Sequence, residues 1–286
     1  MLIAVDWGTS RLRAYLLGPD GAVARRRESD AGIFALGGAG FDAALAPLLD
    51  GWPPDAPMLL CGMIGSRQGV LEVPYLPCPA DPAALARALA PVAIAGRTGR
   101  IVPGLSCTPP DVLRGEETLI LGAGITEGFA CLPGTHSKWV RLAGGVVRDF
   151  RTFLTGELFA AVAGHTIVGR LMEAHDPPGW EEFFDRGIAA ARAPGAALGA
   201  QLFQGRAAVL LGRLPAAGLR PFISGLLIGN EIAHAPAARV TLIGEGALMA
   251  RYGRALAASG IAHATAPPEP APAGLFMIAR AAGMVA

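Results

Sequence analysis

Four short stretches carry side chains able to do chemistry. Asp6-Trp7-Gly8-Thr9-Ser10 sets an acid, a glycine and two hydroxyls between two apolar runs. Glycine lets backbone N–H groups close on an anion, the hydroxyls add donors, and an aspartate at a strand end can hold Mg²⁺ directly or through water. The plainer alternative is a hairpin with Asp and Gly as turn formers. Pro133-Gly134-Thr135-His136-Ser137-Lys138 repeats this chemistry with a cation added. Lysine is a compact point charge, suited to a phosphate that moves during a reaction. Lys138 is the one lysine among the 24 basic residues, although a single lysine must fall somewhere and the hydroxyl-rich loop is the better sign. Arg114-Gly115-Glu116-Glu117-Thr118 precedes an apolar segment. A carboxylate there could take the proton of an attacking hydroxyl, or two acids could simply favour the dipole of a helix they begin. Finally, residues 241–243, Gly244-Glu245-Gly246 and residues 247–258 read as strand, glycine turn and helix, compatible with an adenine nucleotide.

The same residues exclude other chemistries. Lys138 sits in Thr-His-Ser-Lys-Trp, which does not fit GxxxxGK[ST], so a P-loop is ruled out. The third glycine of a dinucleotide fingerprint would fall at Met249, and no acid follows in a second strand, which counts against a nicotinamide-dependent oxidoreductase. The five histidines form no HxxxH or HExxH pattern, and no GxSxG elbow exists. Cys61, Cys78, Cys107 and Cys131 make no CxxC pair and read as thiols in a reducing cytoplasm.

Composition bounds what must position these groups. The 286 residues are 52% apolar and 16% charged, which excludes intrinsic disorder and allows one large domain or two ordinary ones. A net charge of +1 gives no basic surface for nucleic acid or anionic membrane. No lipophilic uncharged run reaches the roughly 18–20 residues of a membrane span, and Asp6 interrupts the N-terminal apolar run, so neither a span nor a signal peptide is expected. Residues 2–5, 12–17 and 22–27 predict a three-stranded meander, followed by a helix at 41–49, a strand at 58–63, a helix at 83–90 capped by Asp81 and Pro82, and a strand at 100–102. Residues 128–132, 139–142 and 146–150 restart the pattern. Helices are expected at 156–163, 180–191, 198–211 and 275–282, and strands at 221–223 and 239–243. The small-residue stretch 189–197 would pack closely enough to allow a homodimer.

Taken in order, these segments resemble the sugar-kinase branch of the actin, hexokinase and heat-shock-ATPase superfamily, and within it the 2-dehydro-3-deoxygalactonokinase family. Residues 6–13, Gly62-Met-Ile-Gly-Ser-Arg-Gln-Gly69, 114–118, 132–140, Thr152-Phe-Leu-Thr-Gly-Glu-Leu-Phe159 and Ser224-Gly-Leu-Leu-Ile-Gly-Asn-Glu-Ile232 carry the resemblance over nearly the whole chain. It implies an α/β fold of two ribonuclease H-like domains, an actin/hexokinase-type duplication with a cleft between them. The domains would be 1–110, joined by helix 274–286, and 111–273 with the nucleotide site. The implied reaction is ATP-dependent phosphorylation of the 6-hydroxyl of 2-dehydro-3-deoxy-D-galactonate, with Mg²⁺, in the cytoplasm and with a small sugar acid as the partner. Gly8, Thr9 and Ser10 would form one phosphate loop and Gly134, Thr135, Ser137 and Lys138 the other, with Gly244 and Gly246 on the adenosine side and Asp6 at the metal. Relatives use an aspartate after the first domain as base; this chain offers Glu117 first, then Glu116, with Asp6 as competitor. Arg67 and Arg13 are the candidates for a guanidinium fork on the substrate carboxylate, with Arg114 third. Two alternatives stay open: a kinase of the gluconate epimer or another sugar acid, and a non-catalytic ATP-binding sensor of the same fold.

Overall fold

Leu2, Ile3, Ala4 and Val5 are fully buried, so the opening apolar run lies in the middle of a sheet. The computed structural model describes residues 1–36, 40–195, 197–235 and 239–286. Down the chain come β1 (Leu2–Trp7), β2 (Leu12–Leu17), β3 (Val23–Ser29), α1 (Ile33–Leu36), α2 (Phe41–Leu49), β4 (Met58–Gly62), β5 (Leu76–Pro77), α3 (Pro82–Arg87), β6 (Ala90–Ile94), β7 (Arg97–Ile101), β8 (Leu105–Cys107), β9 (Asp111–Leu113) and α4 (Glu116–Gly122). There follow β10 (Gly128–Leu132), β11 (Ser137–Ala143), β12 (Val146–Phe153), α5 (Thr155–His165), α6 (Trp180–Ala191), α7 (Leu198–Leu210), α8 (Ala216–Ala233), β13 (Arg239–Leu242), α9 (Ala247–Ala258), β14 (Ala262–Thr265) and α10 (Ala271–Ala281).

Packing divides the chain into two units: Met1–Gly128 with Val140–Phe150 and Ala266–Ala286, and Phe129–Trp139 with Arg151–Thr265. In the first, the sheet runs β3-β2-β1-β4-β7-β6. Strand β1 is antiparallel to β2, with Asp6 opposite Arg13, and parallel to β4, with Asp6 opposite Cys61. Helix α10 packs on α3 and α4 within this unit. The second sheet runs β12-β11-β10-β13-β14, with β13 parallel to both β10 and β14.

Two local expectations are corrected. Residues 221–223 are not a strand but the middle of α8, because a short apolar run cannot be told from a buried helix by periodicity alone. Glycines let α8 lie directly on α6: a Cβ on Gly187 would sit 2.1 Å from the Phe222 carbonyl oxygen, and one on Gly225 would sit 2.0 Å from that of Phe184. The small-residue composition thus serves close helix contact. The helix expected to reach residue 90 instead ends at Arg87, and β6 begins at Ala90. Strand β6 pairs antiparallel with β7 at the sheet edge, where Pro91 is tolerated. In the stretch 189–197, residue 196 lies outside the described residues.

Candidate active site

Asp6 lies one residue before the end of β1 with its side chain 19% exposed, its Oδ2 accepting from Arg13 Nη1 at 3.3 Å. Burial pushes its carboxyl above the usual aspartate value, against the pull of Arg13. Its Oδ1 faces the fully buried Cys61 thiol at 3.9 Å, and Thr118 Oγ1 lies 3.4 Å from the same sulfur. Two glycines bring these strands and α4 together. Gly62 has φ 89°, and a Cβ on it would meet the Trp7 carbonyl oxygen at 2.7 Å; a Cβ on Gly115 would lie 3.2 Å from Gly62 Cα.

The acids of α4 do both things the sequence allows. Glu116 Oε2 accepts from the Arg114 N–H at 2.9 Å and Glu117 Oε2 from the Gly115 N–H at 2.7 Å, so both close the helix N-terminus. Yet Glu117 is fully buried and its Oε1 has no partner among the described residues. Burial, then the neighbouring Glu116, pushes the Glu117 carboxyl up to about 8. Arg114 stacks on Tyr75 at 4.3 Å and donates from Nη2 to the Val73 carbonyl at 2.7 Å, leaving Nε and Nη1 buried without a partner among the described residues. Arg67, by contrast, is 81% exposed and pairs with Glu72 at 3.5 Å. Gly8, Thr9 and Ser10 form the turn between β1 and β2, its hydroxyl residues exposed, tied to the next segment by Ile33 N–H to Gly8 O at 3.0 Å and Phe34 N–H to Thr9 O at 3.2 Å.

In the second unit, β11 starts earlier than residue 139, so Ser137 and Lys138 lie on a strand and are buried. Lys138 Nζ donates to Thr152 Oγ1 at 2.9 Å. Ser137 Oγ turns inward to Tyr252 Oη at 2.7 Å. Gly134 and Thr135 stay in the loop, which rests on the start of α5: the Glu157 N–H donates to the Thr135 carbonyl at 3.0 Å. His136 meets Glu157 at 2.7 Å on the surface. Beside this loop is a cavity of about 180 Å³. Gly134, Thr155, Gly156, Leu227, Leu248 and Tyr252 contribute to its walls. Its charged groups are Arg220, Arg251 and Asp176. Arg251 pairs with Asp176 and stacks on Trp180 at 4.2 Å, while Arg220 lies over Phe159 at 5.1 Å. Gly244 and Gly246 are exposed just before α9, the helix that brings Leu248, Arg251 and Tyr252 to the cavity.

A buried polar cluster lies behind that cavity. Glu231 of α8, 1% exposed, accepts from Trp139 Nε1 at 2.7 Å through Oε1. Its Oε2 accepts from Tyr252 Oη at 2.7 Å and from Thr155 Oγ1. Burial pushes the Glu231 carboxyl up, and the donors hold it back.

The structure therefore joins Asp6 with Arg13, and the α4 acids with the backbone of Arg114 and Gly115. It leaves Arg67 apart on the surface and commits Ser137 to the interior. Sequence reasoning passed over Glu231, Tyr252, Asp176, Arg220 and Arg251. A lone acid inside the apolar stretch 222–232 was the available signal for Glu231, because unpaired charge is rarely buried.

Known proteins give this arrangement a class. The chain is 40% identical over 298 residues to a protein of Rhizobium meliloti (strain 1021) assigned as a 2-dehydro-3-deoxygalactonokinase, covering 97% of this chain and 96% of that one. It is 35% identical over 271 residues, 90% of each chain, to the 2-dehydro-3-deoxygalactonokinase of Escherichia coli (strain K12). A crystal structure of a Sinorhizobium meliloti protein assigned the same way superposes with a TM-score of 0.88 at 39% identity, covering 98% of this chain and 96% of that one. Fold and relatives define an α/β enzyme of the sugar-kinase class. The 2-keto-3-deoxy-galactonokinase family pattern matches residues 6–278, and the chain belongs to that family. Among the described residues no helix is long and apolar enough to cross a membrane.

Proposed function

We propose that this kinase transfers the γ-phosphoryl group of ATP to the 6-hydroxyl of 2-dehydro-3-deoxy-D-galactonate, giving the 6-phosphate, as a cytoplasmic enzyme of galactonate breakdown. The observation that carries this reading is the family match across residues 6–278, with the Gly134-Thr135 loop and its adjoining cavity as its physical counterpart. The shared strand order of the two sheets supports reading them as duplicated ribonuclease H-like domains.

In this reading ATP lies in the cavity of the second unit. The base would rest on the apolar wall of Leu227 and Leu248, and the phosphates would lead toward Gly134 and Thr135, whose backbone and hydroxyl donors suit anionic oxygens. Lys138 supplies positive charge on the adjoining strand. In the first unit, Gly8, Thr9 and Ser10 offer the other set of phosphate donors. Asp6 fits Mg²⁺, which takes one or two carboxylates together with substrate phosphates, and no larger set of metal-ligating side chains occurs among the described residues. Bound there, Mg²⁺ would offset charge on the transferring phosphoryl group. Arg114, with two buried nitrogens that have no partner among the described residues, is the leading fork for the substrate carboxylate, with Arg13 engaged by Asp6. Glu117 is the base: its unpartnered Oε1 takes the hydroxyl proton, and a carboxyl near 8 matches general-base work near neutrality.

The test is release of ADP by purified protein with ATP, Mg²⁺ and a panel of sugar acids. Turnover confined to 2-dehydro-3-deoxy-D-galactonate supports the assignment. Preference for the gluconate epimer replaces the substrate, and ATP binding without turnover on any acid replaces the enzyme with a nucleotide sensor.

A further inference from the structure

We infer that Glu231 is a positioning residue for the nucleotide half of the reaction, its buried carboxylate fixing the walls of the cavity from behind. This rests on the reading that ATP occupies that cavity. Glu231 does not line the cavity itself, yet each donor it holds belongs to an element that shapes the site. Trp139 follows Lys138 on β11, and Ser137, which precedes it, bonds the Tyr252 hydroxyl and the same carboxylate. Thr155 begins α5, where the next residue, Gly156, packs on the phosphate loop: a Cβ there would lie 2.4 Å from the Gly134 carbonyl oxygen. Tyr252 lies on α9 one residue after Arg251. One carboxylate thus holds β11, α5 and α9 to α8.

The choice of a carboxylate is informative. A buried acid costs stability relative to an apolar side chain of similar volume. What it contributes is a pair of oxygens able to accept from several donors at once, which fixes the rings and hydroxyls that surround the site. Glutamine keeps the shape but has one acceptor oxygen. With that oxygen on Trp139, its NH₂ faces the hydroxyls of Tyr252 and Thr155, which must turn their own hydrogens elsewhere and accept instead, so the network that fixes α5 and α9 is rearranged.

The experiment uses the full-length enzyme with Glu231→Gln and Tyr252→Phe, each assayed against ATP at saturating sugar acid and the reverse. The indole N–H resonances of the four tryptophans report folding and the Trp139 bond. The expected result is a KM for ATP raised about tenfold or more in Glu231→Gln, the loss of about 1.4 kcal/mol of binding as the displaced walls give up contacts to the nucleotide. The KM for the sugar acid should stay within about twofold, Tyr252→Phe should move ATP the same way by less, and the Trp139 resonance should shift. An unchanged KM for ATP in folded Glu231→Gln overturns the inference, as does an equal rise for both substrates. Should Glu231→Gln fail to fold, Tyr252→Phe with an unchanged KM for ATP overturns it. Leu248→Trp, which fills the cavity, separates the two ideas. If it leaves the KM for ATP unchanged, the nucleotide reading of the cavity has failed; if it raises that KM while the Glu231 and Tyr252 variants do not, the positioning role alone has failed.

Discussion

Replacing Glu117 with glutamine probes an acid of the site that burial holds well above its ordinary value. The carboxyl is fully buried, one oxygen is held by the Gly115 N–H, and burial lifts it from the ordinary 4.5 to about 8. In the unfolded chain it titrates near 4.5, so between the two values the folded protein holds a proton that the unfolded chain has lost. Its contribution to stability is therefore full below pH 4.5, is lost progressively as pH rises toward 8, and is level beyond. At about 1.36 kcal/mol per pH unit the ceiling is about 5 kcal/mol, and relaxation with water entry around the ionised group brings the expected loss to about 2–3 kcal/mol. Glutamine has no such proton. Its stability relative to the parent should rise by that amount between about pH 5 and about pH 9, read as the difference in urea midpoints multiplied by the slope. Asp6 and Glu231, also raised, act with the same sign in both proteins and largely subtract out. A stability difference that does not change with pH would refute the placement of an ionisable, desolvated carboxyl at the start of α4. The same variant tests the base: turnover should drop roughly 10²- to 10⁴-fold, and the parent kcat/KM should climb with pH toward 8. Full turnover in Glu117→Gln moves the role to Glu116 or Asp6.

Lys138→Met should lower kcat roughly 10²-fold or more with little change in melting temperature, since a charge contact is lost in a desolvated site; unchanged turnover removes Lys138 from the mechanism. Gly156→Ala should cost about 1–3 kcal/mol in thermal unfolding and raise the KM for ATP, because the new methyl would fall 2.4 Å from the Gly134 carbonyl and 2.8 Å from Thr135 Cα. Arg114→Gln should raise the KM for the sugar acid about tenfold or more while leaving that for ATP within about twofold, measured by ADP release with each substrate varied.

Much of this protein is determined by local sequence. The meander β1–β3, the bounds of α2, β10 and α9, and the Gly-Thr turns after β1 and β10 follow from runs of apolar residues broken by Gly, Pro and Asp, a signal set by backbone sterics at each position. The family could be recognised for the same reason: its motifs lie in the turns that the strands deliver. What the linear pattern could not decide is which way a side chain faces and what surrounds it. Ser137 and Lys138 read as loop residues because the hydroxyl-rich stretch continues through them, yet β11 captures both and buries them. Residues 221–223 read as a strand because a short apolar run is equally at home in a buried helix, and packing on α6 decided the matter. Arg67 ranked ahead of Arg114 as a guanidinium candidate; the fold leaves Arg67 in solvent and buries Arg114 against Tyr75 with two nitrogens unpartnered among the described residues. Glu231 gathers donors from residues 139, 155 and 252, distances along the chain over which no local pattern speaks. The acidity of Glu117 is likewise a tertiary property, because desolvation depends on the atoms packed around a carboxyl and not on its neighbours in sequence.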